Sequence, residues 1–118
     1  MRVIPALSSC LLGVLAAFGC DDSRASETLF LENCAVCHQR DGMGIPDVYP
    51  SLVRSEVVRG SAVDVALVLL IGRGEMPSFK GVLSSDDMAS IINYVRTTFG
   101  KQTDTISPER IAALQRAN

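Results

Sequence analysis

Cys34-Ala35-Val36-Cys37-His38 is the stretch on which the reading of this chain turns. A C-x-x-C-H run is the attachment signature of a c-type haem. Two thiols separated by two residues span the two vinyl groups of the ring when the backbone makes one helix-like turn, and they can add across those vinyls as thioethers. The histidine that follows can then bind the iron from one side. A six-coordinate, electron-carrying haem needs a second axial ligand, and His38 is the only histidine in the chain. The second ligand must therefore be a different residue type.

Gly72-Arg73-Gly74-Glu75-Met76-Pro77-Ser78-Phe79 supplies it. The glycines end a helix and let the backbone turn, and Pro77 stiffens the position after Met76. A methionine on such a loop is placed to project a thioether rather than to pack in a helix, so Met76 is the expected sixth ligand. Met43 follows His38 too closely to reach the other face of the ring. Met88 falls on an apolar helix stripe and reads as core, and Met1 lies in the leader.

Residues 39–53 form a loop rich in breakers, among them Gly42, Gly44, Pro46 and Pro50. Pro46 is the candidate whose backbone carbonyl would receive the second ring N–H of His38, fixing the imidazole; a plain turn proline is the alternative. Tyr49 could offer its hydroxyl to a haem propionate. Arg54 and Arg59 are conceivable propionate partners and also read as solvated surface charges.

The periodicity predicts helices around these loops. Glu27 to Cys37 should lead into the haem motif, capped by Ser23 or Ser26, with Phe30 and Cys34 on one face. Ser61 to Ile71 is apolar nearly all round and must be buried on most sides. Leu83 to Phe99 carries a Ser84/Asp87 capping pattern and the stripe Met88, Ile91, Ile92, Val95 and Phe99, which should lie across the first helix near Phe30. Ser107-Pro108-Glu109 starts a short helix on the surface within the extension 101–118. The fold class is all-α: three main helices around one covalently bound haem, plus the short C-terminal helix, with residues 27–100 as the haem domain.

The chain has 118 residues, 47% of them hydrophobic, 5% aromatic and no tryptophan. One domain with a modest core is expected, to which a haem would add a large apolar body. The formal net charge is −2, and no Lys/Arg cluster or stripe points to nucleic acid. Of the four cysteines, Cys10 and Cys20 lie in or at the end of an N-terminal apolar run, so no second pair is left for a disulfide framework.

That run, behind Met1-Arg2, is shorter than the roughly 20 apolar residues a membrane span needs. Residues 1–19 read as an export signal. Ala17-Phe18-Gly19-Cys20 is similar to a bacterial lipobox, with alanine where leucine is usual, which makes Cys20 a lipidation site; ordinary cleavage near Gly19 is the alternative. Residues 20–26 read as a polar tether. Either way the mature protein lies on the exported, periplasmic side, where bacteria attach haem c.

Together these stretches resemble a class I cytochrome c. The matching residues are Phe30, the Cys34–His38 motif, the Gly42/Gly44/Pro46 loop, Tyr49-Pro50-Ser51-Leu52, Gly74-Glu75-Met76-Pro77 and Asn93-Tyr94-Val95-Arg96 through Phe99-Gly100. The chain is similar to small bacterial monohaem cytochromes and to the last haem domain of the cytochrome subunits of alcohol, aldehyde and gluconate dehydrogenases. Phe99 stands where a tryptophan is frequent. The resemblance implies the cytochrome c fold, one haem c and single-electron transfer with His38 and Met76 as axial ligands. It implies redox protein partners, namely a membrane dehydrogenase and a terminal oxidase or another cytochrome, and no small-molecule substrate. The competing enzyme reading is a haem peroxidase or gas-binding sensor, which requires a sixth site that Met76 leaves open. A dithiol oxidoreductase would need a strand before the cysteines. A zinc site would need ligands the chain lacks.

Overall fold

The structure, a computed structural model, describes residues 22–118. Among these residues it consists of α1 (Asp22–Asn33), α2 (Ala35–His38), α3 (Glu56–Arg59), α4 (Ala62–Ile71), α5 (Ser85–Thr98) and α6 (Pro108–Ala117), with no strand. None of these helices is long and apolar enough to cross a membrane. The expected signal segment and Cys20 lie outside the described residues.

α1 begins five residues earlier than its apolar pattern suggested, so residues 22–26 of the expected tether are helical. Ser23 and Ser26 lie inside the helix instead of capping it, and Ser26 Oγ donates back to the Asp22 carbonyl at 2.8 Å. The single helix expected through Cys37 is interrupted at Cys34, where φ of −125° leaves the helical region, and α2 restarts at Ala35. The short α3 carries no apolar period to mark it in the sequence; Ser55 caps it by accepting from the Val58 N–H at 3.2 Å.

The other helices start where their caps predict. Ser61 accepts from the Val63 N–H, Ser84 from the Asp87 N–H and Ser107 from the Arg110 N–H. α5 is the central element. Its stripe of Met88, Ile91, Ile92, Val95 and Phe99 is buried throughout. α1 crosses it at Phe30, whose ring lies 5.4 Å from Tyr94 and 5.3 Å from Phe99 between centroids. Each fully buried side chain of this size contributes about 1.5–3 kcal/mol of transfer free energy. α4 is apolar nearly all round because it has two buried sides, with Asp64 and the terminal Ile71 left exposed. Ala62, Ala66 and Leu70 join the core cluster with α5 and α6, while Val65, Val68 and Leu69 line an internal cavity.

The C-terminal segment is bound into this core and not laid on its surface. Ile106 and Ile111 are buried in the same cluster as α4 and α5. Asn93 pairs twice with Ile106, donating to its carbonyl at 3.1 Å and accepting from its N–H at 2.9 Å. Arg96, the one charged side chain among the buried residues, is only 1% exposed. It donates to both carboxylate oxygens of Asp104, to the Asp104 carbonyl and, at 2.6 Å, to the Gly60 carbonyl. The guanidinium therefore ties α5 to the turn before α4 and to the loop before α6.

The Arg96 guanidinium beside Asp104 holds that carboxyl below its usual range. The pair's stabilisation is therefore in place above the ordinary carboxylate pKa of about 3.9 and is lost as pH falls through the lowered value. Arg96→Leu should lower stability, because it removes the donor that ties Gly60 and Asp104 to α5. A fall in the urea midpoint checks this, with the slope against denaturant unchanged.

Candidate haem-binding site

The cavity encloses about 750 Å³ and is walled mainly by apolar side chains from α4, α5 and the end of α1. That volume falls within the roughly 300–1,000 Å³ of cofactor sites. Phe30, Leu52, Val65, Leu69, Ile91 and Val95 supply much of the wall. Cys34, Cys37, His38 and Met76 all reach the same lining, so four residues spread over 43 positions of sequence converge on one space.

The break at Cys34 serves this convergence. Cys34 N–H still bonds to the Phe30 carbonyl at 2.8 Å, and His38 N–H bonds to the Cys34 carbonyl at 2.9 Å. One tight turn thus carries both sulfurs and the imidazole. Burial pushes the free Cys34 thiol up to about 11, and the neighbouring Cys37 adds to the rise. The position disfavours a thiolate and suits a neutral sulfur, as in a thioether.

His38 is oriented by a single bond, from Nδ1 to the Pro50 carbonyl at 3.0 Å. A carbonyl can only accept, so Nδ1 carries the proton and the Nε2 lone pair is free for a metal. The acceptor is Pro50, not Pro46. Pro46 is exposed and absent from the cavity wall. The reason is a backbone reversal: Ile45 and Tyr49 form an antiparallel bridge, and the chain returns past His38 at Pro50. Gly44 permits this fold, since a Cβ there would collide with the Tyr49 carbonyl and the Pro50 backbone. Nothing in the sequence distinguishes the two prolines, because the reversal between them is set by backbone bonds.

Tyr49 lines the cavity. Arg54 and Arg59 do not; Arg59 bonds instead to Glu56 Oε1 at 2.8 Å and to the Val53 carbonyl at 2.7 Å. Met76 is held by a loop stitched to the end of α4. Ser78 Oγ donates to the Leu70 carbonyl at 2.6 Å, and Phe79 N–H donates to the Leu69 carbonyl at 2.8 Å. These bonds satisfy carbonyls that a helix end leaves unpaired. The donor set of one imidazole and one thioether, with two thiols beside the imidazole, fits an iron porphyrin chemically.

Comparison with known proteins identifies relatives of this chain. Residues 21–95 match the family described as Cytochrome C oxidase, cbb3-type, subunit III. The cytochrome c subunit of a quinone alcohol dehydrogenase from Gluconobacter oxydans is 31% identical over 77% of this chain, which spans 22% of that protein. Cytochrome c6 of Leptolyngbya boryana is 34% identical over 63% of this chain and 89% of its own length. In structure the chain is similar to cytochrome c6 from the diatom Phaeodactylum tricornutum, with a TM-score of 0.56, 26% identity and coverage of 68% of this chain and 95% of that one. The chain spans about a fifth of the length of the dehydrogenase subunits it matches. It belongs to the c-type cytochromes, electron-transfer proteins whose cofactor is covalently bound haem c.

Proposed function

We propose that this protein is an exported monohaem electron carrier in which Cys34 and Cys37 hold the haem through thioethers and His38 and Met76 are the axial ligands. The observation that carries the reading is the convergence of these four side chains on one apolar cavity, with His38 Nδ1 already engaged and Nε2 free. When bound, haem c supplies a one-electron ferric/ferrous couple. The chain's residues do the rest. The apolar wall excludes water and disfavours the extra charge of the ferric state. The Pro50 carbonyl keeps the His38 ring in one tautomer and one orientation. A thioether from Met76 favours the ferrous state and raises the potential. With both axial positions filled by protein, no substrate would reach the metal, and electron transfer would be the only chemistry.

Redox proteins are the natural partners on this reading. The relatives' descriptions name dehydrogenase cytochrome subunits and an oxidase subunit, which suits a donor and an acceptor of those kinds. Residues 1–19 would direct export to the periplasmic side, and Cys20 would carry a lipid anchor.

Met76→Ala should abolish the Met–iron charge-transfer band and let carbon monoxide bind the reduced protein stoichiometrically at neutral pH. Fast, stoichiometric carbon monoxide binding by the parent protein would instead favour a gas-binding or peroxidatic haem. Cys34→Ala combined with Cys37→Ala should make the haem extractable into acidified organic solvent, while either single variant retains it on one thioether; mass spectrometry of the denatured protein reads both results. The mass of the mature N-terminus tests the anchor, and an unmodified Cys20 excludes it.

A further inference from the structure

The turn that presents Met76 also presents a charge. Arg73 and Met76 exchange both backbone hydrogen bonds, each residue's N–H reaching the other's carbonyl at 3.0 Å, and they form an antiparallel bridge. In such a hydrogen-bonded pair the Cα atoms are about 5.5 Å apart, and the two side chains leave the same face. Gly74, at the first central position with φ of 57°, allows the two-residue reversal, as a II′ turn requires. Met76 is half-buried against the core and Arg73 is exposed, and both residues line the cavity. Arg73 is the only lysine or arginine in that lining. The ion pairs among the described residues, Arg59 with Glu56 and Arg96 with Asp104, do not involve it.

We propose that Arg73 is a positioning residue for the redox reaction. Carried on the same turn as Met76 at the rim of the cavity, its guanidinium would place a positive charge near a bound haem and bias the site toward the ferrous state. This rests on Met76 being the axial ligand. Reduction takes one electron from the redox partner and lowers the charge of the site by one, with no bond made or broken at Arg73. A nearby cation therefore opposes the ferric state by Coulomb repulsion. Arg73 is exposed, so the effect is largest at low ionic strength and weakens as salt is added. Glu75, exposed at the tip of the same turn and also lining the cavity, carries the opposite sign.

The test is a redox titration of the haem-loaded full chain against a mediator, for the parent, Arg73→Gln, Arg73→Lys, Glu75→Gln and Arg116→Gln. Arg73→Gln should lower the equilibrium constant for reduction by about threefold to tenfold, tenfold being about 59 mV for a one-electron couple. Arg73→Lys should stay within about twofold of the parent, Glu75→Gln should move the other way, and Arg116→Gln on α6 should not move it. A shift within about twofold for Arg73→Gln, or an equal shift for Arg116→Gln or Arg73→Lys, overturns the proposal. The Met–iron charge-transfer band separates the two claims. Its absence from the parent defeats the axial role of Met76, whereas its presence in an unshifted Arg73→Gln protein defeats only the role of Arg73.

Discussion

An apolar space of about 750 Å³ inside so short a chain is the constraint on which the rest of the structure depends. An apolar space of this size leaves its wall exposed to water unless an apolar body fills it. The chain has only 5% aromatic residues and no tryptophan with which to fill such a volume. A planar, apolar cofactor is thus as much a part of the core as Phe30 or Ile92. Covalent attachment makes that part permanent.

Two loops turn the cavity from a hydrophobic hole into a redox site, and both are held by backbone hydrogen bonds. The loop after α2 reverses between Ile45 and Tyr49, so the Pro50 carbonyl arrives under His38. The loop after α4 closes through the Arg73–Met76 pair and is stitched to Leu69 and Leu70. Each proposed ligand, His38 and Met76, therefore rests on backbone held by hydrogen bonds.

The scaffold beneath the loops is organised by α5. Its stripe serves the α1 crossing, the α4 packing and the cavity wall at once, and its polar residues Asn93 and Arg96 grip the segment leading to α6. The buried Arg96 fixes where α4 begins, and α4 in turn carries the Met76 loop at its other end. The C-terminal helix is by this route part of the scaffold of the haem site.

The residues alone determined the chemistry and the class of the fold. C-x-x-C-H allows few uses for two thiols and an imidazole, a methionine on a loop flanked by Gly74 and Pro77 reads as projecting a thioether, and the α4 and α5 periods leave little alternative to helices. Serine caps marked three helix starts because a hydroxyl acceptor for the first free N–H groups is a local requirement. What tertiary structure decided were the choices among chemically equal neighbours: Pro50 over Pro46 as the histidine's acceptor, Arg73 over Arg54 and Arg59 at the cavity, the break at Cys34, and the burial of Ile106 and Ile111. Each of these depends on backbone hydrogen bonds or packing between segments distant in sequence, and such bonds are made by peptide groups that every residue type shares.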